Sequence, residues 1–311
     1  MKLSTGDNAW QAHLRAASNM LQKGFDHEQS QHAQSDTYEN LETSTQNDPS
    51  LSKNVPIMRA LAVAQQVSQH RLVVCAIIWL DIIASITSGK TPELTKCHSY
   101  VILYDSRIDF ENVIGCKNWV VFQIGRIASL HSEIIQAQHG MKGDCKTYKE
   151  LAEDIEMKIQ LGIAQEASKI FNKSDHDSCS QTPAAPEPTS LVTYIFACMA
   201  SIYLHLVIQG FENLDIVEPS LSIVIEVLRS QVPVHLLHSL VLPLFVAGSV
   251  AKEGDKQFFR NIFSSPPFLD PSFNHRGNII FILEEIWKRR QFSHAFFWND
   301  CLGIIGNMLL I

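Results

Sequence analysis

Apolar side chains recur every three or four positions along most of this chain, the spacing of helices that bury one face. The clearest case is the stretch 108–135, IDFENVIGCKNWVVFQIGRIASLHSEII. An entry turn at Asp109-Phe110-Glu111-Asn112 leads into one long predicted helix. Stepped at about 100° per residue, Val120, Val121, Ile124, Ile127, Ala128, Leu130, Ile134 and Ile135 share one broad arc. Arg126, Ser129, Ser132, Glu133 and Gln136 take the opposite arc. A stripe that wide belongs to a helix packed against several others. Phe122 is the large apolar residue on the polar side, and Gln123 and His131 are the polar residues on the apolar side.

The same reading runs through the chain. Trp10, Leu14, Ala17 and Leu21 mark a short amphipathic helix near the start. Residues 24–54 then turn to Gln, Ser, Asn, Asp, Glu and Thr, too polar to offset ordering entropy, and read as a flexible insertion. Residues 56–88 return to helix: Ile57, Leu61, Ala64 and Val67 make one stripe, and Leu72 to Ile86 makes a second, denser helix. Asp81 lies inside it, either a paired core carboxylate or a functional one. Ser88-Gly89-Lys90 closes that helix, and Thr91-Pro92-Glu93 opens a short one. Thr147 and Glu150 read as a capping box for a helix carried by Tyr148, Leu151, Ile155, Ile159, Ile163 and Ile170. Residues 172–190 read as a second flexible insertion. Beyond it, helices are predicted over 190–209, 218–231, 234–252, 255–264, 276–291 and 294–310, with prolines between them. No stretch alternates as strands do. The expectation is one all-α domain over residues 1–311, an irregular multi-helix bundle of antiparallel helices with two flexible insertions.

The segment 191–208, LVTYIFACMASIYLHLVI, approaches the length of a membrane span. Thr193, Ser201 and His205 fall within about 120° of one another on the wheel, a narrow polar seam. That seam, with no basic flank, favours a buried central helix.

Charge adds one qualification. The net charge is −7, but residues 24–54 hold Asp26, Glu28, Asp36, Glu39, Glu42 and Asp48 against Lys53 alone. The remaining body is nearly neutral and gives no long-range pull on nucleic acid. Cys75, Cys97, Cys116, Cys145, Cys179, Cys198 and Cys301 include no C-x₂-C pair, so neither a zinc module nor a redox pair is indicated. Met1 to Trp10 is polar, unlike a secretion signal, and a reduced intracellular compartment fits best. His235 and His238 sit three apart without further ligands, and Lys288-Arg289-Arg290 follows Glu284 and Glu285 at ion-pairing distance along a helix. There is no G-x-S-x-G, no phosphate-binding glycine loop and no dinucleotide fingerprint. Asp81, Gln123, His131 and His205 are polar groups on mostly buried faces, either converging on a ligand pocket or separately satisfied in the core.

The run Glu111-Asn112-Val113-Ile114-Gly115-Cys116-Lys117-Asn118-Trp119, followed by an apolar helix, resembles a signature of the fungal-specific transcription factor domain. That domain is the helical regulatory region of fungal activators carrying a binuclear zinc cluster. Gly6 to Trp10 with His13-Leu14, Trp79-Leu80-Asp81-Ile82, the helix at 191–210, Ser239 to Pro243, Gln257-Phe258-Phe259, Glu285 to Arg290 and Trp298-Asn299-Asp300 are similar to the family's pattern in order and spacing. The resemblance assigns Glu111, Asn112, Gly115, Cys116 and Trp119 to a structural signature. It implies a transcriptional regulator, nuclear at least part of the time, controlling a metabolic or secondary-metabolite gene set. Such a regulator acts by binding a protein partner, itself or a small-molecule effector, with no cofactor and no membrane.

The family's six-cysteine cluster, basic linker and coiled coil are not in this sequence. The expectation is therefore a fragment, or a short product keeping the regulatory half, without direct DNA binding of its own. Two alternatives stand beside this reading. One is an enzyme whose helical pocket takes a small apolar metabolite, with Asp81 or His131 as acid–base group. The other is a pure dimerisation or interaction module that titrates a full-length zinc-cluster partner.

Overall fold

The computed structural model describes residues 11–23, 55–98, 102, 108–140, 145–171, 186–269, 276–292, 295–306, 308, 310 and 311, apart from the side chains of 55–70, 96, 97 and 145. Residues 24–54, most of 172–190 and Trp10 lie outside this set, and with them the two predicted insertions. Every regular element among the described residues is helical. Helix α1 covers 11–23. It is followed by α2 (Val55–Ser88), α3 (Thr95–His98), α4 (Glu111–Ile114), α5 (Asn118–Gln138), α6 (Cys145–Phe171) and α7 (Pro188–Ile208). The second half holds α8 (Glu218–Ser230), α9 (Val241–Ser249), α10 (Glu253–Phe263), α11 (Ile279–Phe292) and α12 (Trp298–Ile305), with 3₁₀ turns at Leu214–Ile216 and Val234–Leu240.

α7 is the axis of the bundle. It packs against α5, α6, α8, α9 and α12, while α2 packs on α5 and α12, and α10 and α11 close over α9. α7 and the Arg71–Ser88 part of α2 are each long and apolar enough to cross a membrane by composition, but 89% of the apolar window in α7 and 56% of that in α2 are buried inside the protein. The polar seam of α7 explains why that helix tolerates this. Thr193 accepts the Lys117 N–H at 3.2 Å, Ser201 accepts from Gln160 at 3.3 Å, and His205 Nε2 meets the Glu212 carbonyl at 2.7 Å. Thr193 and His205 are buried and each finds a protein partner, as such positions demand, while Ser201 is half-buried.

α5 buries the predicted arc: Val120, Val121, Ile124, Ile127, Ala128 and Leu130 are covered, and Ile134 and Ile135 half-covered. Ser132 departs from expectation. It lies on the polar arc by the wheel, yet it is buried and its hydroxyl sits 2.8 Å from that of Thr91. The connection after α2 folds over that face, which helical periodicity cannot register.

Other boundaries shift for local reasons. The stretch 56–88 is one uninterrupted helix. α6 starts at Cys145, so Thr147 lies within the helix and not at its cap. α7 starts at Pro188, inside the segment read as an insertion, with proline in the first turn where no N–H is needed. The predicted run 234–252 divides at Leu240. Pro243 can neither donate to an earlier carbonyl nor clear it sterically, so the chain before it tightens to 3₁₀. α12 begins at Trp298, where the Asp300 carboxylate accepts the Phe297 N–H at 2.8 Å, half of a capping box.

Two glycines separate packing from propensity. A Cβ on Gly162 of α6 would sit 2.0 Å from the Trp119 ring, whereas one on Gly303 of α12 would meet open space. Gly303→Ala is expected to raise stability by up to about 1 kcal/mol through helix propensity alone. Gly162→Ala gains the same propensity but forces Trp119 aside, and is expected to lose about 1–3 kcal/mol. Urea melts of both variants check the opposite signs; two increases would show that α5 and α6 are not in this close contact.

Candidate functional site

The signature segment is a joint between helices. Asp109 accepts the Glu111 N–H at 2.9 Å and the Asn112 amide at 2.6 Å, starting α4 where the residues read as an entry turn; that reading runs the turn straight into the long helix, whereas α5 begins afresh at Asn118. Gly115 ends α4 at φ +72°, a left-handed conformation that side chains disfavour, facing Val192 of α7. Cys116 is fully buried and its thiol is pushed far up by burial, which makes it a core group and not a nucleophile. Asn118 accepts the Phe110 N–H at 3.0 Å and donates to the Ile102 and Ile108 carbonyls at 3.0 and 2.8 Å. Lys117 reaches Glu166 of α6 with 2.8 and 2.9 Å hydrogen bonds. Glu111 and Asn112 are exposed.

Of the four polar candidates, Asp81 is buried and its two oxygens accept the Glu93 and Leu94 N–H groups at 3.0 and 2.9 Å. It anchors the connection after α2. Gln123 accepts from Arg126 at 3.0 Å, and Arg126 goes on to Asp154 of α6 at 2.7 Å. The four do not line one pocket. Asp81 faces a small cleft beside α1, which places it away from the large cavities and removes it as an acid–base group there. His205 and His131 line two neighbouring cavities.

These two cavities adjoin between α5, α6, α7 and the start of α12. The larger, of about 520 Å³, is walled by Tyr148 and Ala152 of α6, Leu204 and Ile208 of α7 and by Val217. The smaller, of about 270 Å³, is lined by His131, Ile135, Leu206, Trp298, Asn299 and Asp300. Ile134, Gln138, Val207 and Phe297 line both. The larger volume falls within the range of small-molecule sites, and apolar walls with few polar groups are their usual chemistry.

His131 is the one candidate with an unmet need. It is 3% exposed, and its Nε2 has no hydrogen-bond partner. Nδ1 lies 3.5 Å from the Tyr203 hydroxyl. A ring accepting from Tyr203 through Nδ1 carries its proton on Nε2. Burial pushes its pKa down to about 4, so the imidazole is neutral near pH 7. A buried donor left without an acceptor costs about 1–3 kcal/mol.

Sequence reading named His131 and His205 but missed Phe297, Val207 and Ile208. These residues come from helices about ninety positions apart, and ordinary apolar residues carry no signal of a cavity.

The other chemical candidates resolve locally. His238 Nδ1 lies 3.0 Å from Arg276, and the described residues hold no group of three potential metal ligands. Arg289 pairs with Glu285 at 2.7 Å, and Arg290 donates to the Ser249 carbonyl at 2.6 Å and to that of Ala251, capping α9. Glu284 turns instead to Arg260 of α10 at 2.6 Å. The basic run is therefore partly consumed in packing. Cys198, pushed up to about 12 by burial, and Cys301, also raised, are inert core thiols.

The profile of the fungal specific transcription factor domain matches residues 1–305. This chain belongs to that family. The pestheic acid cluster transcriptional regulator 3 of Pestalotiopsis fici is 36% identical over 304 residues, covering 96% of this chain and 52% of the relative. A trichothecene biosynthesis transcription regulator of Fusarium sporotrichioides is 28% identical over 66% of this chain and 46% of its own length. The transcription factor dibT of Pestalotiopsis microspora is 26% identical over 76% of this chain and 40% of its own length. The chain thus spans about half the length of such relatives or less. No solved structure matches it. The family is named for transcription factors, and these relatives are named as transcription regulators or transcription factors.

Proposed function

We propose that this chain is the regulatory region of a fungal transcriptional regulator that controls a biosynthetic gene cluster. The observation that carries the reading is the alignment to a cluster regulator across 96% of the chain. The structure is consistent with that role. Among the described residues, the signature segment, Asp81 and Gln123 join helices and connections, and two adjoining cavities open between α5, α6 and α7. The domain acts in the nucleus by binding a protein partner, a second copy or a small effector. DNA contact is left to other polypeptide, since the body outside 24–54 is nearly neutral and, among the described residues, Lys117, Arg126, Arg260 and Arg289 are paired with carboxylates.

Deleting the gene and sequencing the transcriptome tests this. The expected outcome is a fall of severalfold or more in the transcripts of one contiguous set of biosynthetic genes. A transcriptome indistinguishable from the parent strain, under conditions where the gene is expressed, would sink the proposal.

A further inference from the structure

We infer that the two adjoining cavities form one binding site for an uncharged, largely apolar small molecule that presents a carbonyl-type oxygen to His131 Nε2. The inference deepens the regulatory reading above and rests on it for its biological meaning.

Three observations define the ligand. The first is room: about 520 and 270 Å³, with Ile134, Gln138, Val207 and Phe297 lining both lobes. A multi-ring molecule fits such a volume, and a single ordered water does not fill it. The second is the lining charge. Glu153 and Glu156 stand at the larger lobe and Asp300 at the smaller, against Lys149 alone. An anion meets a net negative mouth and a cation meets an apolar interior, so a neutral ligand is favoured on both counts. The third is the unpartnered Nε2 of His131, a buried residue on the wall of the smaller lobe; with Nδ1 accepting from Tyr203, this nitrogen carries the proton and needs an acceptor. A carbonyl oxygen supplies that acceptor without bringing a donor of its own into the apolar lobe, and its lone pairs lie in its own plane.

The test uses the purified full chain and two isosteric probes. 2-Acetylnaphthalene offers a ketone oxygen; 2-isopropenylnaphthalene replaces it with a methylene of the same shape. Affinities are measured calorimetrically for the wild type, His131→Leu and Ala152→Phe. The hydrocarbon gains from its greater apolarity everywhere, so the informative quantity is the ratio of the two affinities. That ratio is expected to favour the ketone about tenfold more in the wild type than in His131→Leu, one hydrogen bond's worth. Ala152→Phe, which fills the larger lobe without touching His131, is expected to weaken both probes together.

An unchanged ratio, or no saturable binding of either probe to the wild type, overturns the inference. Should His131→Leu fail to fold, the wild-type His131 ring proton read by NMR replaces it. A shift with the ketone and not the hydrocarbon supports the site, and equal response to both refutes it. Altered cluster transcripts on gene deletion without probe binding remove this site and leave the regulatory reading intact. Probe binding with an unaltered transcriptome does the reverse.

Discussion

Trp298→Ala is expected to cost about 4 kcal/mol or more of unfolding free energy, enough to leave much of the population unfolded at modest urea concentrations. The ring is fully buried where α12 meets α2, α7 and α11. It packs edge-on against Tyr203 at 5.5 Å and Phe245 at 6.2 Å. Its Nε1–H donates to the Ile86 carbonyl at 3.1 Å. That carbonyl lies in the last turn of α2, where helix geometry provides no partner of its own. Truncation therefore adds a cavity and an orphaned acceptor to the lost burial. Trp298→Phe separates the two. It keeps most of the packing and loses the donor, and is expected to cost about 1–3 kcal/mol. Chemical denaturation followed by far-ultraviolet circular dichroism measures both. If the alanine variant lies within about 1 kcal/mol of the parent, α12 does not dock as described.

The second large effect is expected at Glu166. Its side chain is 2% exposed and holds Lys117 at 21% and Lys169 at 52% exposure. Glu166→Gln keeps the shape and removes the charge, leaving two ammonium groups around a buried amide. Losing one side of a buried pair costs about 3–5 kcal/mol, and the partly exposed lysines, able to reach water, place this case at the lower end. Lys117→Met is expected to cost less, because Lys169 still holds the carboxylate at 2.8 Å.

The pH dependence has a definite sign. Burial raises the Glu166 carboxyl, but the hydrogen bonds from Lys117 and Lys169 outweigh it and hold its pKa below the ordinary 4.5. A carboxylate depressed on folding contributes stability above its unfolded value and loses it as pH falls through the folded value. The gap between the parent and Glu166→Gln should therefore be full above pH 4.5 and narrow below it. His131 works in a different window: its pKa falls from 6.5 to about 4, so it erodes stability between those values in both proteins alike. A gap that is constant from pH 7 to pH 3 would show that Glu166 is not the paired group.

Much of this architecture is visible in the residues themselves. The arc from Val120 to Leu130 is buried as its spacing demands, and the seam of Thr193, Ser201 and His205 marks α7 as a core helix rather than a membrane span. The helix-closing role of Gly89 follows from local chemistry, since its φ of +68° suits a residue without a side chain. Asp81 was legible as a buried carboxylate but not as the anchor of Glu93 and Leu94, because its partners lie 12 and 13 residues away in a turn without periodicity. Ser132 was misplaced for the same reason: what covers it comes from the connection after α2.

Helical character, the apolar faces and the family are legible in the residues alone, because periodicity and motif are properties of one segment at a time. That Lys117 meets Glu166, that Trp119 lies on Gly162, and that His131 and His205 line adjoining cavities while Asp81 and Gln123 do not emerges from the folded arrangement. Those outcomes depend on distances between helices far apart in the chain. Distance is set by how whole faces interlock, a many-body packing problem that no single stretch of residues encodes.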